Sequence, residues 1–252
     1  MLRLLLCLFS SLVVVGCTTT PVNVNEETTP ERCTASPLTN TAPQKGWYRN
    51  PFVPDACFYL YRQAEDFFAI TKTKLFNDAH VHEVFVDKIV TSRNSQPQAW
   101  LLYYPKLYRY LGIVLVDTKS SAFTTYRDLT KKFPLLLQHH QLFAYLHELT
   151  HLSPLLTYSK TPDSTQESIA DIVAITMLSN VMRFNEVQRE QLANEVLAFR
   201  TLSVELGYAM PERINVETLK SFTLTLPVIK GNVDYNGLID VMLESAINVD
   251  LK

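Results

Sequence analysis

Two neighbouring apolar segments each carry a pair of ligand-type side chains four residues apart, and satisfying one segment requires bringing the other beside it. The first, "FPLLLQHHQLFAYLHELTHL", ends in His147, Glu148 and His151, and the second, "STQESIADIVAITML", opens with Glu167 and Asp171. Helices are expected near 134–152 and 164–182, where residues four apart stack on one face, one turn above the other. Asp171 interrupts an apolar run, and a charge without a partner there is costly to bury. Pairing the two helices supplies the partner.

The residue types at this spacing point to metal chemistry. His147 and His151 can both reach a single ion, and Glu148, the next residue round the helix, is placed to take a proton from an activated water without being a ligand. A catalytic zinc takes three protein ligands and leaves one position open. Glu167 on the paired helix is the third, and Asp171 is then a carboxylate behind the site that receives the free N–H of a ligating histidine. Two imidazoles favour Zn2+ over calcium or magnesium. Other readings stand beside these. "STQE" is a capping box in which Glu167 folds back onto the Ser164 N–H, while Asp163 with Gln166 is a competing cap that frees Glu167. Asp171 suits a structural salt bridge. His139 and His140 read as exposed helix residues, and His80 and His82, alternating in "HVHEVFVDKIVTS", lack a nearby third ligand.

The ends of the chain suggest export. "MLRLLLCLFSSLVVVGC" has an early arginine, an apolar run too short to span a bilayer, and small residues before a cysteine. Residues 14–17 resemble the bacterial lipobox, which implies cleavage of residues 1–16 and lipidation of Cys17 by diacylglycerol and fatty acid such as palmitate. Of the 4 cysteines, Cys7 leaves with the signal, so Cys33 and Cys57 remain as a disulfide or as two free thiols. Thr18 is not the aspartate of the inner-membrane retention pattern. That resemblance implies the periplasmic side of the outer membrane rather than the inner membrane. With 23 basic and 25 acidic residues, the net charge of −2 offers no basic surplus for nucleic acid.

Residues 17–45 are rich in Thr, Pro, Asn and Glu, and read as a disordered tether. Residues 46–252 have the size of one domain. A helix is expected near 54–73, then strands in 80–92, "QAWLLYYP" and "LGIVLVDTKS", the last serving as an edge on which an extended substrate aligns. Beyond about Tyr126 the chain reads helical, with further helices near 185–206, 215–223 and 236–248. The fold class is α+β: a small N-terminal sheet, then a mainly helical half carrying the site.

"HELTH" and "ESIAD" together resemble the signature of the gluzincin clan of zinc metallopeptidases, His-Glu-x-x-His on one helix and Glu-x-x-x-Asp on the next. The resemblance covers residues 134–182, and the gap between the motifs is shorter than in thermolysin. It implies a zincin-like fold, zinc on His147, His151 and Glu167, Glu148 as general base, Asp171 orienting a histidine, and a peptide or protein substrate. No histidine follows His151, so the donor that stabilises the developing oxyanion is another residue type, with Tyr158, Tyr208, Arg213 and Tyr235 as candidates. The rival expectation is a non-catalytic envelope lipoprotein that binds a protein or cell-wall partner, its metal structural or absent.

Overall fold

Residues 33, 35–63, 97–104, 109–208, 216–224 and 233–250 are described by the structure, a computed structural model. The chain is α+β, a small sheet followed by a mainly helical part. The strands are β1 (Gly46–Arg49), β2 (Cys57–Tyr61), β3 (Gln98–Tyr104) and β4 (Arg109–Leu115), in the spatial order β1-β2-β4-β3. The helices are α1 (Ser121–Leu129), α2 (Pro134–Thr150), α3 (Pro154–Thr157), α4 (Asp163–Met182), α5 (Glu186–Glu205), α6 (Val216–Leu224) and α7 (Tyr235–Asp250).

Two sequence expectations change here. Where a helix is expected near 54–73, residues Cys57–Tyr61 form strand β2, "CFYLY", with all five residues buried, and residues 64–73 of that expectation lie outside the described residues. A strand covered on both faces is apolar throughout and has no alternation to distinguish it from a buried helix. "LGIVLVDTKS" is an interior strand: β4 pairs parallel with β2 and antiparallel with β3. Both flanks are occupied, so it offers no edge to a substrate. The strand expected in 80–92, with His80 and His82, lies outside the described residues.

Register puts Phe58, Leu60, Leu101, Gly112 and Val114 on the face that meets the helices. Gly112 matters for this contact. A β-carbon on it would stand 2.7 Å from Phe58 Cβ and 2.9 Å from Leu152 Cδ1, so only glycine lets the end of the α2 segment settle on the sheet. The opposite face carries Tyr59 and Tyr61, ring centroids 4.5 Å apart, with Trp47 edge-on to Tyr59. Cys57 is joined there to Cys33, with Cα atoms 5.6 Å apart, in accord with the disulfide expectation.

That bond and three hydrogen bonds draw in residues whose composition reads as tether. Tyr145 Oη donates to the Pro37 carbonyl, Tyr48 Oη to that of Gln44, and Arg62 to that of Pro43. Pro37 and Pro43 are buried. Within 35–45 these specific anchors offset ordering entropy that the residues' own apolar surface would not.

The helical part is organised round α4. Residues 168–179 are buried without interruption, because α2, α5, α6 and α7 all pack against this one helix. An apolar helix with no polar face needs such cover. It ends at Arg183, in the left-handed region at φ 57°, with Phe184 N–H returning to the Ser179 carbonyl. Asn185 then caps α5 in a reciprocal capping box with Gln188. This tight reversal folds α5 back along α4.

Candidate metal centre

α2 starts at Pro134, whose missing N–H suits the first helical turn. Phe133 supplies no side-chain cap; Glu195 of α5 does so instead, its Oε2 accepting from Leu136 N–H at 2.7 Å. One face of the first two turns, Leu136, His139, His140 and Phe143, points inward, and from Tyr145 to Thr150 every residue is buried. His139 and His140 are thus core residues, correcting the expectation of exposure. His139 packs against Phe184 and His140 against Phe123, with centroids 5.3 and 4.6 Å apart. Burial lowers the His140 imidazolium to about 4, so it stays neutral at ordinary pH.

At the other end of α2, His147 and His151 meet edge-to-face with ring centroids 5.2 Å apart. Glu167, in the second turn of α4, faces both. Its Oε2 is 3.0 Å from His147 Nε2 and its Oε1 is 3.5 Å from His151 Nε2. Ligand atoms from all three lie within 4.8 Å of one another. Bond lengths near 2.0–2.2 Å place two ligands of a tetrahedral ion about 3.3 Å apart, so the group can hold a metal ion.

Neither expected capping box forms. α4 is preceded by Pro162, which has no side-chain cap, and Gln166 Nε2 donates to the Thr161 carbonyl instead. Helix geometry begins at Asp163, one residue too early for Asp163 to be the cap and two too early for Ser164, which leaves the Glu167 carboxylate beyond the end turn and free to meet the histidines.

Behind His147, Asp171 Oδ1 lies 2.8 Å from Nδ1. This leaves Nε2 as the nitrogen directed toward Glu167. Asp171 is 1% exposed, and its charge is met by a residue on which the sequence offered no signal. Arg200 of α5 donates through Nε to Oδ2 at 2.7 Å and through Nη2 to Oδ1 at 2.6 Å. The salt-bridge reading and the orienting reading of Asp171 therefore coexist in one carboxylate. Arg200 lies 29 positions away in sequence, too far for any helical or strand periodicity to reveal.

Electrostatics follow from burial and pairing. Burial pushes the Asp171 and Glu167 carboxyls up, but Arg200 and His147 hold the first, and His147 and His151 the second, below their ordinary range. For Glu148 burial prevails, with the Glu167 charge adding to it and His147 opposing, and its carboxyl rises to about 8. Burial alone would lower His147, yet Asp171 and Glu167 raise it to about 10. Burial keeps His151 below its ordinary value.

Of the expected oxyanion donors, Tyr158 and Tyr208 are exposed at 56% and 52%, Tyr235 accepts from Asn180, and Arg213 lies outside the described residues. The phenol that feels this site is one sequence reading passed over. Tyr126 of α1 packs against Phe199, and its electrostatic neighbours are Arg200, Glu167, Asp171 and Glu148.

No protein family, no curated protein and no solved structure matches this chain.

Proposed function

We propose that the protein is a zinc metallopeptidase of gluzincin type, tethered to the bacterial cell envelope by a lipid on Cys17. One observation carries the reading: two imidazole nitrogens and a carboxylate converge within 4.8 Å, with Asp171 hydrogen-bonded to the far nitrogen of one imidazole. His147, His151 and Glu167 would hold the ion. When bound, zinc supplies Lewis acidity, making a water nucleophilic near neutral pH and polarising a peptide carbonyl. Glu148, in its ionised form, receives the proton of the attacking water. With a metal bound and the Nε2 proton displaced, Asp171 would keep His147 in the tautomer whose Nε2 lone pair faces the site. Tyr126, whose phenol lies in the field of Arg200, Glu167, Asp171 and Glu148, is the candidate donor to the developing oxyanion.

A second reading has its own observation. His147, Glu167, Asp171 and Arg200 already satisfy one another as an ion-pair network, which a non-catalytic envelope lipoprotein binding a protein or cell-wall partner could use for structure alone. Elemental analysis and hydrolysis of a denatured protein substrate separate the two. The peptidase reading expects one zinc per chain, Glu148→Gln retaining zinc while losing hydrolysis by about 10²-fold or more, and Glu167→Ala losing the metal. A wild-type protein that takes up no zinc on reconstitution overturns it in favour of the structural network. The described helices include none long and apolar enough to cross a membrane, so attachment is tested by metabolic labelling of Cys17 with a fatty acid.

A further inference from the structure

We infer that Arg200 is a positioning residue of the metal centre, acting through Asp171 to fix the orientation of His147; the inference rests on the metal-site reading above. An aspartate that accepts only one hydrogen bond can rotate about its terminal torsion, which is broad. Asp171 has no such freedom. The guanidinium fork engages both of its oxygens, at 2.6 and 2.7 Å, and Oδ1 also meets His147 Nδ1 at 2.8 Å.

Three further features make this a built support. Asp171 is 1% exposed, so an oxygen deprived of Arg200 would face protein rather than solvent. The Arg200 side chain is 11% exposed, and its guanidinium carbon sits 5.6 Å from the centroid of the Phe199 ring. Arg200 is carried by α5, the helix whose Glu195 also caps the start of α2. One helix therefore holds the histidine-bearing helix at its first turn and, through Asp171, at its last.

The inference makes a prediction opposite in sign to simple electrostatics. Arg200 is a cation beside a cation site, so if its influence were through-space charge, removing it would tighten metal binding. If its role is to hold Asp171, removing it weakens binding, because His147 loses its fixed orientation. Lysine keeps the charge but presents a single ammonium in place of the planar fork.

The test is zinc affinity of the full chain, by competition with a chromophoric chelator, for the wild type, Arg200→Met, Arg200→Lys, Asp171→Asn and the Arg200→Lys/Asp171→Asn double variant. Thermal unfolding of each metal-free protein serves as the folding control. The expected result is a loss of about 10–100-fold in Arg200→Met and about 10-fold in Arg200→Lys, the range for groups that orient a ligand. In the double variant the lysine adds less than about twofold to the effect of Asp171→Asn, since the two act as one unit. If Arg200→Met fails to fold, Arg200→Lys carries the test. Unchanged or tighter binding in Arg200→Lys, or fully multiplicative losses in the double variant, overturns the role of Arg200 while leaving the site standing. Absence of zinc from the wild type overturns both.

Discussion

Leu152 and Gly112 meet where the histidine-bearing helix is seated on the sheet: both Leu152 δ-carbons would crowd a β-carbon on Gly112, at 2.9 and 3.2 Å. The seat is reinforced by Asn50 Nδ2 donating to the Leu152 carbonyl and by Ser153 Oγ bonding to Asn236 of α7. Gly112→Ala is therefore expected to destabilise the protein by about 1–3 kcal/mol through overpacking. At about 2–4 °C per kcal/mol for a domain of this size, calorimetry resolves the loss. An unchanged melting temperature would mean that the sheet and the helix end separate freely.

Zinc should report on the same helix pair through stability. A ligand that binds only the folded chain stabilises it by about 2.7 kcal/mol at 100 times its Kd. Wild-type protein is expected to melt at a higher temperature with zinc than with chelator, and Glu167→Ala to melt alike in both. A zinc-dependent shift of equal size in the variant would place the ion elsewhere.

The capping of α2 by Glu195 predicts a loss that local sequence rules would not. With Phe133 offering no cap, Glu195→Ala leaves the Leu136 N–H without its 2.7 Å acceptor. The cost should approach that of removing a side-chain N-cap, about 1 kcal/mol. Urea denaturation would show it, and Gln191→Ala, which removes only a partner of the other Glu195 oxygen, should cost less.

The disulfide closes a loop of 24 residues and ties the N-terminal segment to β2. Replacing both cysteines by serine should cost about 2–4 kcal/mol. Limited proteolysis should then cut within residues 35–45 before the rest of the domain, and equal protection of oxidised and serine forms would count against a role for the bond.

The pH dependence of the metal-free protein has two limbs with different owners. Asp171 and Glu167 carboxyls are held low in the fold, chiefly against burial, by Arg200 and the histidines. Their contribution is present above the unfolded carboxyl range, about pH 4, and is lost as pH falls below it. Glu148 behaves oppositely: raised to about 8 by burial, it contributes fully below about pH 4 and loses that contribution as pH rises through 8. His147, raised to about 10 against burial, contributes fully below about pH 6.5 and loses this as pH rises through 10. Melting temperatures in chelator from about pH 2 to 10 should fall on both sides, and Glu148→Gln should flatten the decline between pH 4 and 8 while sparing the acid limb below pH 4. A variant profile parallel to the wild type throughout would remove Glu148 from this account.

Much of the helical part was legible because helix periodicity is local. The expected segments near 134–152, 164–182 and 185–206 correspond to α2, α4 and α5 within a residue or two at either end. The burial of His139 and His140 was also available, since both share a helix face with Leu136 and Phe143. Strand β2 was not, because burial on both faces erases the alternation that marks a strand.

By itself the sequence determined which side chains could meet: His147 with His151 on one helix and Glu167 with Asp171 on the next, because a four-residue spacing puts each pair on one face. Whether Glu167 capped its own helix or faced the histidines was decided by tertiary structure, through where α4 begins and how α2 lies along it. The presence of Arg200 and Glu195 at the two ends of the α2 support was likewise decided by the fold. Their partners lie 29 and 59 positions away, and contacts at that range are set by how whole helices pack, which no local pattern encodes.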